Sequence, residues 1–185
     1  MPQPDWDQRY RSEDLPWDTG KPDPHLVELA EAGVITPGRV LEVGCGWGLA
    51  GINCARVHKA GVTAVDIDPE VFPYLHLHAA VNKVEIKTMK KSFSELRKKD
   101  LRAYDMIIGA DICFWDSMVG PLKNLINRAL SAGVAGALIA DPGRSPFQEL
   151  TGHFSRNGKG EVLDWTVKRP RPITGAILKI GAIPR

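Results

Sequence analysis

The chain has 185 residues, a formal net charge of +2, 43% hydrophobic and 25% charged residues, which suits one ordinary globular domain with a substantial core. So small a charge excess excludes nucleic-acid binding by bulk electrostatics, and Cys45, Cys54 and Cys113, without metal-ligand spacing, exclude a disulfide framework and a cysteine metal site. No apolar run approaches a membrane span and Met1 to Tyr10 lacks the apolar core of a signal peptide, so a cytoplasmic protein is expected, with a monomer as the simplest assembly.

Residues 1–25 carry prolines 2, 4, 16, 22 and 24 and read as an irregular arm; Leu26 to Ala32 reads as a short helix, and Pro37-Gly38 punctuates the entry to the first strand. The organisation expected is therefore an arm and short helix over 1–38 and one domain over 39–185. Strands and helices then alternate: a strand over 39–43, a helix over 48–58, a strand over 62–66, and a helix over 69–82 with Pro69 in its first turn. A third strand is expected over 84–88, a fourth over 104–108, a helix over 117–131, a fifth strand over 135–140, and a short helix from Pro146. Glu161 to Lys168 and Gly175 to Ile183 alternate as strands around the breaker Arg169-Pro170-Arg171-Pro172, with no helix between them. The pattern predicts an α/β fold with seven strands, a mostly parallel sheet covered by helices on both faces and finished by an antiparallel hairpin.

The most informative stretch is Val40-Leu41-Glu42-Val43-Gly44-Cys45-Gly46-Trp47-Gly48. A buried strand stops at an acid and opens into a turn whose glycines can bend sharply and approach a ligand closely. The helix that follows turns its unpaired N–H groups back towards that ligand. Asp66 ends the second strand 22 positions beyond Gly44, where a carboxylate would meet a ribose diol. An adenosine cofactor is thus expected. A dinucleotide fingerprint can be read at Gly46 to Gly51, but counted from Gly44, the first glycine after the strand, its third position falls on Leu49. The pattern acidic-x-G-x-G-x-G fits Glu42, Gly44, Gly46 and Gly48 directly.

Here the run resembles motif I of the seven-strand S-adenosylmethionine-dependent methyltransferases, which have a Rossmann-like sheet. The resemblance implies that Gly44, Gly46 and Gly48 pack against the methionine part of S-adenosyl-L-methionine and that Asp66 holds its ribose; Glu42 is a cofactor-site carboxylate that the sulfonium and ammonium tolerate nearby. Ser92-Phe93, after the third strand, would flank the adenine, although Phe93 reads equally as a core residue. After the fourth strand, Asp111-Ile112-Cys113-Phe114 resembles the D/E-x-x-Y/F motif of the protein-lysine methyltransferase branch. Asp141-Pro142-Gly143-Arg144 is similar to a segment of the electron-transfer-flavoprotein β-subunit lysine methyltransferases. The resemblance covers residues 39–147. The arm, Leu15-Pro16-Trp17-Asp18-Thr19-Gly20, looks more like that of small-molecule methyltransferases.

A lysine acceptor of pKa about 10.4 must lose a proton before its lone pair attacks. The carboxylate of Asp111 would hold and orient the arriving ammonium; with Phe114 it forms the expected catalytic pair, and it would also lie beside the cofactor. Phe114 and Trp115 would wall the channel. Asp111 reads equally as a helix cap, and Arg144 as its ion-pair partner, as that of Asp141, or as a contact to the substrate. Trp17 would close over the site as a lid or pack on the sheet edge. The expected substrate is a protein presenting a lysine; a small-molecule acceptor, or a non-catalytic cofactor-binding subunit, stays open.

Overall fold

The computed structural model describes residues 38–167 and 173–182. Trp17, the helix expected over Leu26 to Ala32 and the arm lie outside the described residues. Seven strands run in chain order: β1 (Arg39–Val43), β2 (Gly61–Asp66), β3 (Lys87–Lys90), β4 (Met106–Ala110), β5 (Gly136–Asp141), β6 (Gly160–Val167) and β7 (Ile173–Gly181). They form one sheet in the order β3-β2-β1-β4-β5-β7-β6; β1 to β5 are parallel, while β7 is antiparallel to both β5 and β6. The helices between them are α1 (Leu49–His58), α2 (Phe72–Val81), the single turn α3 (Lys98–Leu101), α4 (Asp116–Leu130) and α5 (Ser145–Arg156).

Buried strands with apolar residues on both faces need cover on both sides. Val40, Val62, Ala64, Ile108 and Leu138 pack with Ile52, Cys54 and Ala55 of α1 and with Leu75 and Ala79 of α2. Their strand neighbours Leu41, Val65, Ile107 and Ile139 point the other way, onto Leu122 and Ile126 of α4 and Phe147 and Phe154 of α5. The hairpin is drawn in by the same core. Phe154 is fully buried, and Gly160 lies so close that a Cβ there would come 2.8 Å from the Cβ of Phe154.

The last strand, expected over Gly175 to Ile183, runs Ile173–Gly181, and three further boundaries differ from the expectation, each for a local reason. The helix expected over 69–82 divides into a 3-10 turn, Pro69–Val71, capped by Asp68, and α2. Pro73 has no N–H and suits a first helical turn, where none is needed, so α2 starts one residue before it. Lys83 then takes a left-handed conformation and the Val84 N–H returns to the Ala79 carbonyl, so Val84 is taken up in capping α2 and β3 starts only at Lys87. β4 also begins two residues late. Asp105 forms a latch with Arg39, its N–H donating to the Arg39 carbonyl at 2.7 Å and its carboxylate accepting the Arg39 N–H at 2.6 Å.

Strand order reverses between β1 and β4, β2 lying on one side of β1 and β4 on the other, so a crevice opens beyond their carboxyl ends. Phe154→Ala removes a fully buried ring that joins α5 to the hairpin. It is expected to lower stability by about 3–5 kcal/mol, read from the urea unfolding midpoint.

Candidate cofactor and acceptor site

Between β1 and α1, Gly44, Gly46 and Gly48 all adopt positive φ, at 61°, 48° and 75°. Only glycine takes this region without strain, so three of five residues can turn the chain back on itself. The Gly48 N–H donates to the Cys45 carbonyl at 2.7 Å, and the Cys45 N–H donates to the Val65 carbonyl, tying the turn to the end of β2. Asp66 completes the tie. Its Oδ2 accepts the Gly46 N–H at 3.0 Å and its Oδ1 the Asp68 N–H at 3.1 Å.

Glu42 lies beneath this turn, 3% exposed, and its Oε2 has no hydrogen-bond partner. Burial pushes its carboxyl up to about 8; the Gly51 and Ala50 N–H groups oppose the rise and the Asp66 charge adds to it. Trp47 stacks on Tyr74 at 5.8 Å between ring centroids and meets His78 edge-on at 5.5 Å.

Past β3, Ser92 gives both its N–H and its hydroxyl to the Glu95 carboxylate at 2.8 Å. Phe93 is half-buried against the α4 side of the core, its ring tip 3.8 Å from where a Cβ on Gly44 would stand. The loop is held from α4 by Arg128, which donates to the carbonyls of Leu96 and Phe93.

Beyond β4, Asp111 sits at φ 59°, a left-handed conformation that Asp tolerates better than most residues. Ile112 explains the turn: its side chain fills the space left by Gly44 and Gly109, where a Cβ would come within 2.8 Å and 2.7 Å of it. Tucking Ile112 inward presents Asp111 outward. The Arg144 guanidinium donates to Asp111 and to Asp141, the latter at 2.6 Å, and its Cζ lies 4.1 Å from the centroid of the Phe114 ring. Asp141 is buried and also accepts the N–H groups of Gly143 and Arg144 at 2.9 Å. Phe114 and Trp115 remain exposed, their rings 5.7 Å apart.

Desolvation lifts the Asp111 carboxyl above the usual range; Arg144 pulls it back and Asp141 lifts it further. Burial opposes the charge of Arg144, but hydrogen bonds and charge from Asp141 and Asp111 outweigh it and raise its pKa.

The fold thus brings Glu42, the three glycines and Asp66 into one turn, with Phe93 beside it, and gathers Asp111, Phe114, Trp115 and Arg144 at the next strand ends. Ser92 is directed to Glu95. Sequence reasoning passed over Arg128, Gly109 and Ile112. A glycine in mid-strand followed by a branched residue was a signal for the last two; Arg128 gave none.

The methyltransferase domain family matches residues 40–133. The electron transfer flavoprotein beta subunit lysine methyltransferase of Xenopus laevis is 27% identical over 114 residues, 62% of this chain and 46% of that protein. The ubiquinone biosynthesis O-methyltransferase of Xanthomonas campestris pv. campestris (strain B100) is 32% identical over 99 residues, 49% of this chain and 41% of that one. The chain therefore spans less than half the length of these curated relatives. Among solved structures, magnesium protoporphyrin IX methyltransferase from Synechocystis PCC 6803 with bound SAM superposes with a TM-score of 0.63 at 14% identity, over 86% of this chain and 77% of that one. That likeness is one of fold.

The glycines differ in what a side chain would meet. A Cβ on Gly48 would stand 2.6 Å from Leu75, whereas one on Gly46 would meet nothing within 4 Å. Gly48→Ala is expected to cost about 2–4 kcal/mol, and Gly46→Ala only the backbone cost of about 1–2 kcal/mol, compared by chemical denaturation.

Proposed function

The chain belongs to the methyltransferase domain family, and from that premise we infer that it is an S-adenosylmethionine-dependent N-methyltransferase acting on a lysine side chain of a protein. The turn suits this cofactor. Gly46 faces open space, Glu42 offers a buried carboxyl with one unpartnered oxygen to a cationic ligand, and each oxygen of half-buried Asp66 takes a single backbone N–H, leaving acceptor capacity for a ribose diol. Glu42, Gly44, Gly46 and Gly48 would hold the methionine part, Asp66 the ribose, and Phe93 the adenine, with Ser92 shaping that loop through Glu95. When bound, the cofactor supplies a methyl carbon on sulfonium, open to in-line attack by a lone pair, with the C–S electrons left on sulfur.

The chain's own part is alignment and desolvation. One observation carries the lysine reading: two carboxylates, Asp111 and Asp141, converge on a single cation that is stacked on Phe114 at an aromatic-walled mouth. That set carries one more negative than positive charge, so it attracts a second cation. Asp111 holds the arriving ammonium and leads its proton to solvent, Phe114 adds a cation–π contact, and Trp115 covers the mouth. Arg144 keeps the two carboxylates together until the acceptor arrives. In this reading Trp17 of the arm contacts the acceptor.

A small-molecule acceptor is the second reading, favoured by the O-methyltransferase relatives and by the Leu15 to Gly20 segment. Incubating the protein with methyl-labelled cofactor and cell extract separates the two. Label recovered as methyl-lysine after hydrolysis of protein supports the first, and label only in low-mass products the second; no transfer leaves a non-catalytic binding subunit.

Asp111→Asn is expected to lower turnover about 100-fold or more while cofactor affinity stays nearly constant. Asp66→Ala does the reverse, weakening cofactor binding by about 1–3 kcal/mol in calorimetry. Because the Asp111 pKa is raised, its carboxylate is lost as pH falls through that elevated value. With cofactor saturating, the acidic limb of kcat/KM for the acceptor should therefore lie above the ordinary aspartate range and vanish in Asp111→Asn.

A further inference from the structure

Glu42 occupies an unusual place for a carboxylate. It is paired in register with Ala64 and Ile108 in the middle of the sheet, is 3% exposed, and keeps Oε2 without a hydrogen-bond partner. Room for it exists because two positions of the turn and helix start lack side chains: a Cβ on Gly51 would come 2.4 Å from Oε2, and one on Gly48 3.7 Å. The same turn has open space at Gly46. A buried carboxyl with one oxygen left without a hydrogen-bond partner thus lies one glycine turn from a ligand seat.

Among the described residues, the other titratable groups facing Glu42 are few. Asp66 stands at the end of β2, Cys45 lies in the turn, and Cys54 is on α1. Burial pushes both thiols up, Cys54 to about 12, so neither ionises near neutrality. From α2, Leu75 packs towards Gly48, and His78 meets Trp47 edge-on. β4 contributes Ile108, which carries no charge.

The geometry points to Glu42 as the residue that distinguishes the cofactor from its demethylated product, meeting the sulfonium form as a carboxylate and the thioether form as a carboxylic acid. This rests on the cofactor reading above. With no cation near it, burial keeps the carboxyl protonated at neutral pH, its pKa being about 8. A cation seated on the turn favours ionisation, so Glu42 gives up a proton to solvent on binding. Methyl transfer moves the positive charge onto the acceptor nitrogen; Glu42 then regains a proton from water, and the neutral thioether loses its charge partner. Binding that releases a proton tightens as pH rises towards about 8 and levels off above it.

The test is titration calorimetry of the full chain near neutral pH in two buffers of different ionisation enthalpy, with S-adenosylmethionine and S-adenosylhomocysteine. Both carry the same ammonium, ribose and adenine, so their difference isolates the sulfonium. S-adenosylmethionine should release roughly half a proton more per site than S-adenosylhomocysteine. In Glu42→Gln that excess should disappear and the preference for S-adenosylmethionine should shrink about tenfold. Equal proton release from the native chain, or an excess that persists in Glu42→Gln, overturns the inference. The native comparison decides alone should the variant not fold. Failure of both compounds to bind at any pH overturns this inference together with the cofactor reading.

Discussion

The bond from the Gly46 N–H to the Asp66 carboxylate is the constraint on which the site depends. It joins the ends of two neighbouring parallel strands across the turn that separates them from α1. Without it, ordering three glycines in the left-handed region would cost backbone entropy with little to offset it. With it, and with the Cys45 N–H on Val65, the backbone is held open at Gly46 and shut at Gly48. The same carboxylate therefore shapes the seat and presents acceptor capacity to what sits there.

The proposed acceptor side is built on a different balance. Asp141 is buried, and a lone buried carboxylate would be costly; two backbone N–H groups and the Arg144 guanidinium satisfy it. Asp111 is half-exposed, so its share of that guanidinium adds little stability. Its value is positional. The wedge of Ile112 behind it and the Phe114 ring beneath Arg144 keep charge and aromatic surface together at the strand ends. Structural and functional demands are thus divided between the two aspartates by depth.

Much of the architecture was legible in the residues. A fully apolar run such as Ala137 to Ala140, bounded by turn residues, reads as a strand covered on both faces, and the absence of a helix between the last two strands implied the hairpin. Boundaries were less legible where capping competed with pairing. Val84 and Ile86 have the composition of a strand, yet the carbonyl at the end of α2 claims the Val84 N–H first. Tyr104 and Asp105 look like strand residues, but Asp105 is taken up by the Arg39 latch.

The order of small residues and acids along the chain determined by itself the α/β alternation, the glycine turn and the carboxylate at the end of β2, because each depends on contacts within a strand-turn-helix unit. Tertiary structure alone decided how Arg144 is shared between Asp111 and Asp141, why Asp111 faces outward, and that Arg128 holds the Phe93 loop from 35 positions away. Those outcomes rest on side chains meeting across the sheet, and a linear pattern carries no record of which distant partner a charge will find. The state of Glu42 belongs to the same class: its place beside the glycines is written in the motif, but its loss of water is a property of the packed core.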